Sequence, residues 1–353
     1  MSGSEFGGVL HDMLADADVP EVARRWASGD LSPGLALWRR LADLGVSALA
    51  VPEKQGGLGA SPLDLVVACE ELGHHAVPGP AAESLAAVPV LLGDAGSFGE
   101  WLAGLAAGDL IATLAAPPCV PLAACAEAAG LVLYAQDGVV GQGSAGATFR
   151  SVDPARSLAE VRRGPVLAEG VAGAVARALD FGALACSAQL LGAGRALLEA
   201  SVRHAGLRVQ FGRQIGAFQA VKHRLADVAI GLEFARPLLE AAGVALAEDG
   251  PTAGRDVSAA KVACAEAAYR AARAALQVHG AIGYTAEHEL SRFLLQVRAL
   301  VPAWGTSAEH RARVLRELGP ASQRAAASPG LRSEGRATRE GGALKAARRR
   351  AGE

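Results

Sequence analysis

Residues Arg203–Asp227 read RHAGLRVQFGRQIGAFQAVKHRLAD. Helix-compatible sequence flanks a short break, Phe211-Gly212-Arg213-Gln214-Ile215-Gly216, where two glycines sit among bulky residues. Arg208, Arg213, Lys222, His223 and Arg224 gather around it, and Phe211, Ile215 and Phe218 give it apolar anchors. A helix start exposes backbone N–H groups, and cationic donors around such a start suit a phosphate or pyrophosphate. On spacing alone the stretch also suits a solvated turn between two helices.

Outward from this break the pattern is helical from about Glu169 to Gly319. Leu184, Ala188, Leu191, Arg195 and Leu198 fall on one stripe of a helix that runs into it. A second helix runs from Ala217 towards Gly243. After Glu248-Asp249-Gly250-Pro251, a third, alanine-rich helix spans Asp256 to His279 and suits a close crossing. Gly280 and Gly283 end it, and a fourth begins near Ala286. Four long helices with short connections predict a four-helix bundle.

Val9 to about Leu105 also reads as helices. Leu35, Leu37, Trp38, Leu41 and Leu44 return at helical spacing, Gly45 stops that helix, and Val46 to Val51 runs extended into a glycine-rich loop. Ser61 and Pro62 cap and start the next helix, which turns Leu65, Val66, Cys69 and Leu72 inward and Glu70 and Glu71 outward. No carboxylate or cysteine completes a recognisable ligand spacing with His74-His75, so the pair reads as surface polar and no metal site is expected. Between the helical blocks, Leu110–Leu114, Leu131–Tyr134 and Val139-Val140 are short β-compatible runs punctuated by Pro117-Pro118 and Asp137-Gly138. The expected fold class is therefore mainly α with a small β-domain. A helical domain covers 1–108, the β-domain 109–166 and the bundle 167–319. A basic disordered tail ending near Arg348-Arg349-Arg350 covers 320–353.

Whole-chain properties exclude several function classes. The 353 residues are 51% hydrophobic but only 4% aromatic, which favours close helix packing through small residues. A net charge of −2 offers no global attraction to nucleic acid or to an anionic membrane, so neither is expected as a partner. Cys69, Cys119, Cys125, Cys186 and Cys264 are scattered and read as buried small residues rather than a disulfide framework. The first residues carry acids where a secretory signal needs positive charge, and no long apolar run is free of charge or proline. A cytoplasmic location is expected.

Three stretches resemble the acyl-CoA dehydrogenase family. Arg208–His223 is similar to its flavin-binding R-x-x-F-G-x-x-I-x-x-F-Q-x-x-x-H. Gln277–His288, QVHGAIGYTAEH, resembles Q-x-x-G-G-x-G-[FY]-T-x-E-[HY], with Ala281 in place of the second glycine. Leu44–Ser61, LGVSALAVPEKQGGLGAS, resembles a loop of the family's N-terminal helical domain. The resemblance covers about Leu35 to Gly319. It implies FAD, contacted by Arg208, Phe211, Gln219, Gln277, Gly280 and Ala281, with the two segments reaching one flavin from neighbouring subunits of an oligomer such as a tetramer. Thr306 would be a further flavin contact. The middle domain is short for the family, and the family's flavin-contacting Ser/Thr motifs are not found in it.

The activity implied is FAD-dependent α,β-dehydrogenation of an acyl-CoA thioester, with electrons passed to an electron-transferring flavoprotein. Such chemistry needs a carboxylate base in an apolar site, where desolvation raises its pKa. Many members place it in an aromatic-Glu-Gly-Thr segment. Ala303-Trp304-Gly305-Thr306 corresponds here, with Trp304 at the glutamate position. Others place it on the first bundle helix, at or next to Phe181. Asp180 lies one residue away, about 100° around a helix, and reads as that helix's N-cap. The alternative is a catalytically silent subunit that completes the FAD site of a base-bearing homologue, as a hetero-oligomer rather than a homo-oligomer. A scaffold that has lost flavin is a third reading.

Overall fold

The computed structural model describes residues 3–96, 98–285 and 288–319; the basic tail expected over 320–353 lies outside them. Six helices open the chain: α1 (Gly3–Ala15), α2 (Val19–Ala27), α3 (Ser32–Asp43), α4 (Pro62–His75), α5 (Val88–Ala95) and α6 (Gly99–Ala107). A π-helical stretch, Ala82–Ala87, leads directly into α5. Gly45, at φ 81°, ends α3 as expected, but Val46–Ala48 is a 3-10 turn rather than extended chain. The glycine-rich loop folds back onto that turn, with the Leu58 and Ala60 amides donating to the Ala48 and Leu49 carbonyls (both 2.8 Å). Those carbonyls are thus satisfied locally and need no strand partner. Ser61 and Asp64 form the capping box that starts α4.

The β-region is a mixed sheet of five strands in the order β1-β3-β4-β5-β2, built from β1 (Ala112–Ala115), β2 (Ala123–Ala124), β3 (Leu131–Gln136), β4 (Val139–Phe149) and β5 (Leu158–Ala168). β1 and β3 pair in parallel; the other neighbours are antiparallel. Periodicity located β1, β3 and the start of β4. It missed β5, whose Arg162-Arg163-Gly164-Pro165 reads as a loop and whose exposed face buries little. Register shifts along β4 and β5 accommodate the proline and glycines.

The bundle consists of α7 (Ala172–Leu207), α8 (Gln219–Ala247), α9 (Ala253–His279), α10 (Leu290–Leu300) and α11 (Ser307–Leu318). Three helices are long; the expected fourth is two short ones split by a turn at 301–306. The chain divides at Val314 into two units, and the described part of the second only finishes α11. At 1.5 Å per residue, α7 is about 54 Å long. It is long and apolar enough to cross a bilayer, yet 89% of its most apolar window is buried among the other helices. α7 and α9 pack directly on each other and run parallel, and α8 runs the opposite way against both. His204 near the end of α7 stacks on His279 at the end of α9, with 4.2 Å between ring centroids. At the opposite end, Arg313 lies against both Asp180 and Gly254.

α4 is enclosed on nearly every side, which corrects the expectation that Glu70 and Glu71 face outward. Both are buried, Glu70 forked by Arg236 (2.8 and 2.9 Å) and both held by Arg195 (2.7 and 2.6 Å). An apolar stripe cannot reveal this, because the paired arginines come from α7 and α8. The α4 and α7 backbones touch at two glycines: a Cβ on Gly73 would lie 2.1 Å from the Gln189 carbonyl oxygen, and one on Gly192 would lie 1.9 Å from that of Glu70. Neither neighbour can rotate away. Gly73→Ala or Gly192→Ala is therefore expected to lower the unfolding free energy by about 3 kcal/mol through overpacking. Gly173→Ala, where a Cβ meets nothing within 4 Å, is expected not to destabilise; chemical denaturation of the three variants checks this.

Candidate functional site

The break at Phe211 is a hairpin. β6 (Val209–Gln210) and β7 (Arg213–Gln214) pair antiparallel around Phe211 and Gly212, both with positive φ (53° and 76°). A 3-10 turn, Ile215–Ala217, then delivers the chain to the start of α8, which no side chain caps. Arg208 and Gln219 are exposed beside this start, and Arg213 lies over the Phe218 ring at 4.1 Å. Phe211 was expected as an anchor but is 91% exposed; its ring meets only the edge of Phe218, 6.2 Å away. Gly280 follows α9 at φ 66°, with nothing within 4 Å of where a Cβ would stand. Gln277, Gly280 and Ala281 are exposed.

Because α7 and α9 end together, the Arg208 and Gln277 segments share one end of a single chain. Burial lowers the pKa of both His204 and His279, and His288 lowers them further, while the His279 Nδ1–H donates to the Ala275 carbonyl (2.8 Å). A neutral stacked pair thus fixes the spacing of the two segments. An uncapped helix start, an exposed arginine and open glycine backbone fit the diphosphate of FAD, which Arg208, Gln219, Gln277, Gly280 and Ala281 would hold.

A second centre surrounds Trp304. This residue is buried at φ 59°, and its carbonyl accepts a hydrogen bond from His310 Nε2 (2.9 Å). The Ser258 hydroxyl donates to His310 Nδ1 (3.0 Å), and the fully buried Lys261 donates to the Val301 carbonyl (3.0 Å). The turn from α10 to α11 is therefore clamped by α9. The indole lies against Gly182, where a Cβ would come within 2.1 Å of the ring. Thr306 does not present its amide to a ligand: that N–H and the hydroxyl both donate to Glu309 (2.7 and 2.8 Å), and Thr306 Oγ1 accepts the Glu309 amide in return, capping α11.

Asp180 is not an N-cap. α7 begins at Ala172, and the Asp180 carboxylate is forked by Arg313, with 2.9 Å between Nη2 and Oδ2. The carboxyl group that does reach Trp304 is Glu83, in the π-helical stretch. The two line one small cavity, where the indole N–H acts to hold the carboxyl down, while Glu83 Oε1 lies 3.6 Å from Arg156 with no hydrogen bond. Burial pushes this carboxyl above the usual carboxylate range, and Arg156 and the indole only partly oppose that. Sequence reasoning passed over Glu83, although a lone acid inside the apolar run Ala76–Leu92 was a usable signal.

Glu83, Asp153, Arg156, Gln189, Arg292 and Trp304 line a cavity of about 30 Å³. At about 15 Å³ per site this holds roughly two waters, whereas ligand pockets typically start near 300 Å³. Its wall is mixed: Ala76, Val77, Ala81 and Leu300 line it beside Glu83 Oε1, Arg292 Nε and Nη1 and Gln296 Oε1, which are buried without a hydrogen-bond partner. Burial lowers Arg292 to about 10.

Comparison with known proteins places this arrangement. The model of the acyl-CoA dehydrogenase N-terminal domain matches residues 10–109, and that of the C-terminal domain matches 169–319. The acyl-CoA dehydrogenase IpdE2 of Mycobacterium tuberculosis is 32% identical over 278 residues, 77% of this chain and 83% of that protein. Among solved structures, the ChsE4–ChsE5 complex from M. tuberculosis superposes with a TM-score of 0.77 at 25% identity, covering 90% of this chain and 98% of that one. A Tcur3481–Tcur3483 steroid ACAD variant reaches 0.80 at 23% identity, covering 92% and 98%. The fold and sequence are those of a flavoprotein oxidoreductase acting on CH–CH bonds. The chain belongs to the acyl-CoA dehydrogenase family, and its cofactor is FAD.

The state of Glu83 can be read from stability. Its raised pKa means that the folded protein favours the neutral carboxyl, so its contribution is full below the ordinary value near 4.5 and is lost as pH rises through the folded pKa. Glu83→Gln keeps an acceptor for the indole without the charge. The wild type is expected to lose thermal stability relative to Glu83→Gln as pH rises above 4.5, and a pH-independent difference would contradict this.

Proposed function

We propose that this chain is the catalytically silent subunit of a heteromeric acyl-CoA dehydrogenase, lending its phosphate cradle to a flavin whose reacting ring faces a base-bearing partner. The observation that carries this is Trp304. An indole has no basic lone pair to take a proton from carbon; it stands at the position where the resemblance places the family's glutamate, with its ring filling the space beside Gly182. What remains is a cavity of about 30 Å³, too small for an acyl tail.

Geometry within α7 supports the sharing. Gly182, under the indole, and Leu207, next to the cradle, lie 25 residues apart, or about 38 Å along the helix. One dinucleotide does not bridge that distance, so a flavin held by Arg208 has its ring on another subunit. When bound, FAD supplies the hydride acceptor; this chain's residues hold its diphosphate, and the proton-accepting carboxylate belongs to the partner. Ile230, Phe234 and Leu238, four residues apart on the exposed face of α8, border a groove of about 950 Å³ against α9 and offer the partner an apolar surface. Electrons would leave to an electron-transferring flavoprotein.

The purified chain is expected to show little or no acyl-CoA dehydrogenation, with activity appearing on co-expression with a base-bearing homologue. Robust turnover by the homomer would overturn the proposal, and its loss in Glu83→Gln would place the base in the π-helical stretch. In the active heteromer, Arg208→Ala is expected to lower flavin retention by tenfold or more, the value of a charge-assisted phosphate contact of about 1.5–3 kcal/mol. Absorbance of the purified complex reads this directly.

A further inference from the structure

Away from both centres, four side chains that bind metals elsewhere converge at the junction of α1 and α4. His11, Glu71, His74 and His75 each offer one ligand atom, and these atoms all lie within 4.8 Å of one another. Zinc held by nitrogen and oxygen at 2.0–2.2 Å in a tetrahedron sets its ligands about 3.4 Å apart, so the observed spread is close to a ligand sphere. Glu71 Oε2 lies 2.8 Å from His11 Nδ1, which lies 3.2 Å from His75 Nε2. The three rings sit edge to face or tilted, with centroids 4.7–5.2 Å apart.

Two features separate this cluster from a chance meeting of polar groups. The first is how its members are held. Arg195 grips Glu71 through Oε1 (2.6 Å), which leaves Oε2 facing the rings. Glu199 accepts from His74 Nε2 (3.0 Å), which fixes the tautomer and puts the ring's lone pair on Nδ1. That Nδ1 is buried and has no hydrogen-bond partner. The second is proton counting. A single N–H on His11 Nδ1 cannot fully satisfy both Glu71 Oε2 and His75 Nε2, while His74 Nδ1 needs a donor of its own. One cation would satisfy all four lone pairs.

We propose that His11, Glu71, His74 and His75 bind one divalent transition-metal cation, zinc in the first instance, which ties α1 to α4. Three imidazoles and one carboxylate select a borderline ion such as zinc over magnesium or calcium, which require oxygen ligands. The site would be structural, since four protein ligands leave a tetrahedral ion no open position.

The test is calorimetric titration of the full, tag-free chain with zinc chloride, followed by zinc-edge X-ray absorption of the loaded protein. The expected result is one zinc per chain with a scattering pattern from at least two imidazoles. Affinity should fall at least tenfold in both His11→Gln and His75→Gln, and 10–100-fold in Glu199→Gln, which alters no ligand but frees the His74 ring. Failure of the wild type to take up zinc, absence of imidazole scattering, or affinity unchanged in both histidine variants would each overturn the site.

Discussion

The indole of Trp304, set between Gly182 of α7 and the carboxyl of Glu83, is the contact on which the arrangement of the domains depends. Its backbone is pinned by His310 and its turn by Lys261, so the ring has one place to go. That place is the meeting point of the N-terminal helices through Glu83, the β4–β5 loop through Arg156, and the bundle through Gly182. A buried aromatic of this size is typically worth about 3–5 kcal/mol against its removal. The same contact closes the space in which acyl chemistry would take place.

The bundle separates what such a protein needs into two ends of a long rod. Parallel α7 and α9 bring the Arg208 and Gln277 segments together, with stacked neutral histidines as the spacer. The far end carries Trp304 and the Asp180–Arg313 fork. The hairpin beside the Arg208 segment stands out from the bundle, with Phe211 almost fully solvated.

Much of the fold was legible because its signals are local. Helix spacing, the Ser61 capping box and the glycines ending α9 located most helices, and the glycines at 212 and 216 marked the break between α7 and α8. What escaped depended on partners distant in sequence. Glu70 and Glu71 looked solvent-bound because Arg195 and Arg236 lie more than 120 positions away. His74 and His75 read as surface polar because His11, whose ring meets both of theirs, comes from a different helix more than 60 positions away. Asp180 was misplaced because nothing local marks the start of α7 at Ala172, which no side chain caps. β5 escaped because a strand half open to water with arginine, glycine and proline carries no alternating signal. That the two cradle segments share one chain's end is a property of helix direction, which periodicity does not carry.

The central claim, that Trp304 closes this chain's own acyl site, is tested most directly by counting thioester sites. Equilibrium dialysis of a labelled enoyl-CoA against the flavin-loaded heteromer is expected to find one site per base-bearing subunit and none on this chain, and none on this chain alone. One thioester bound per copy of this chain, in either preparation, would contradict it.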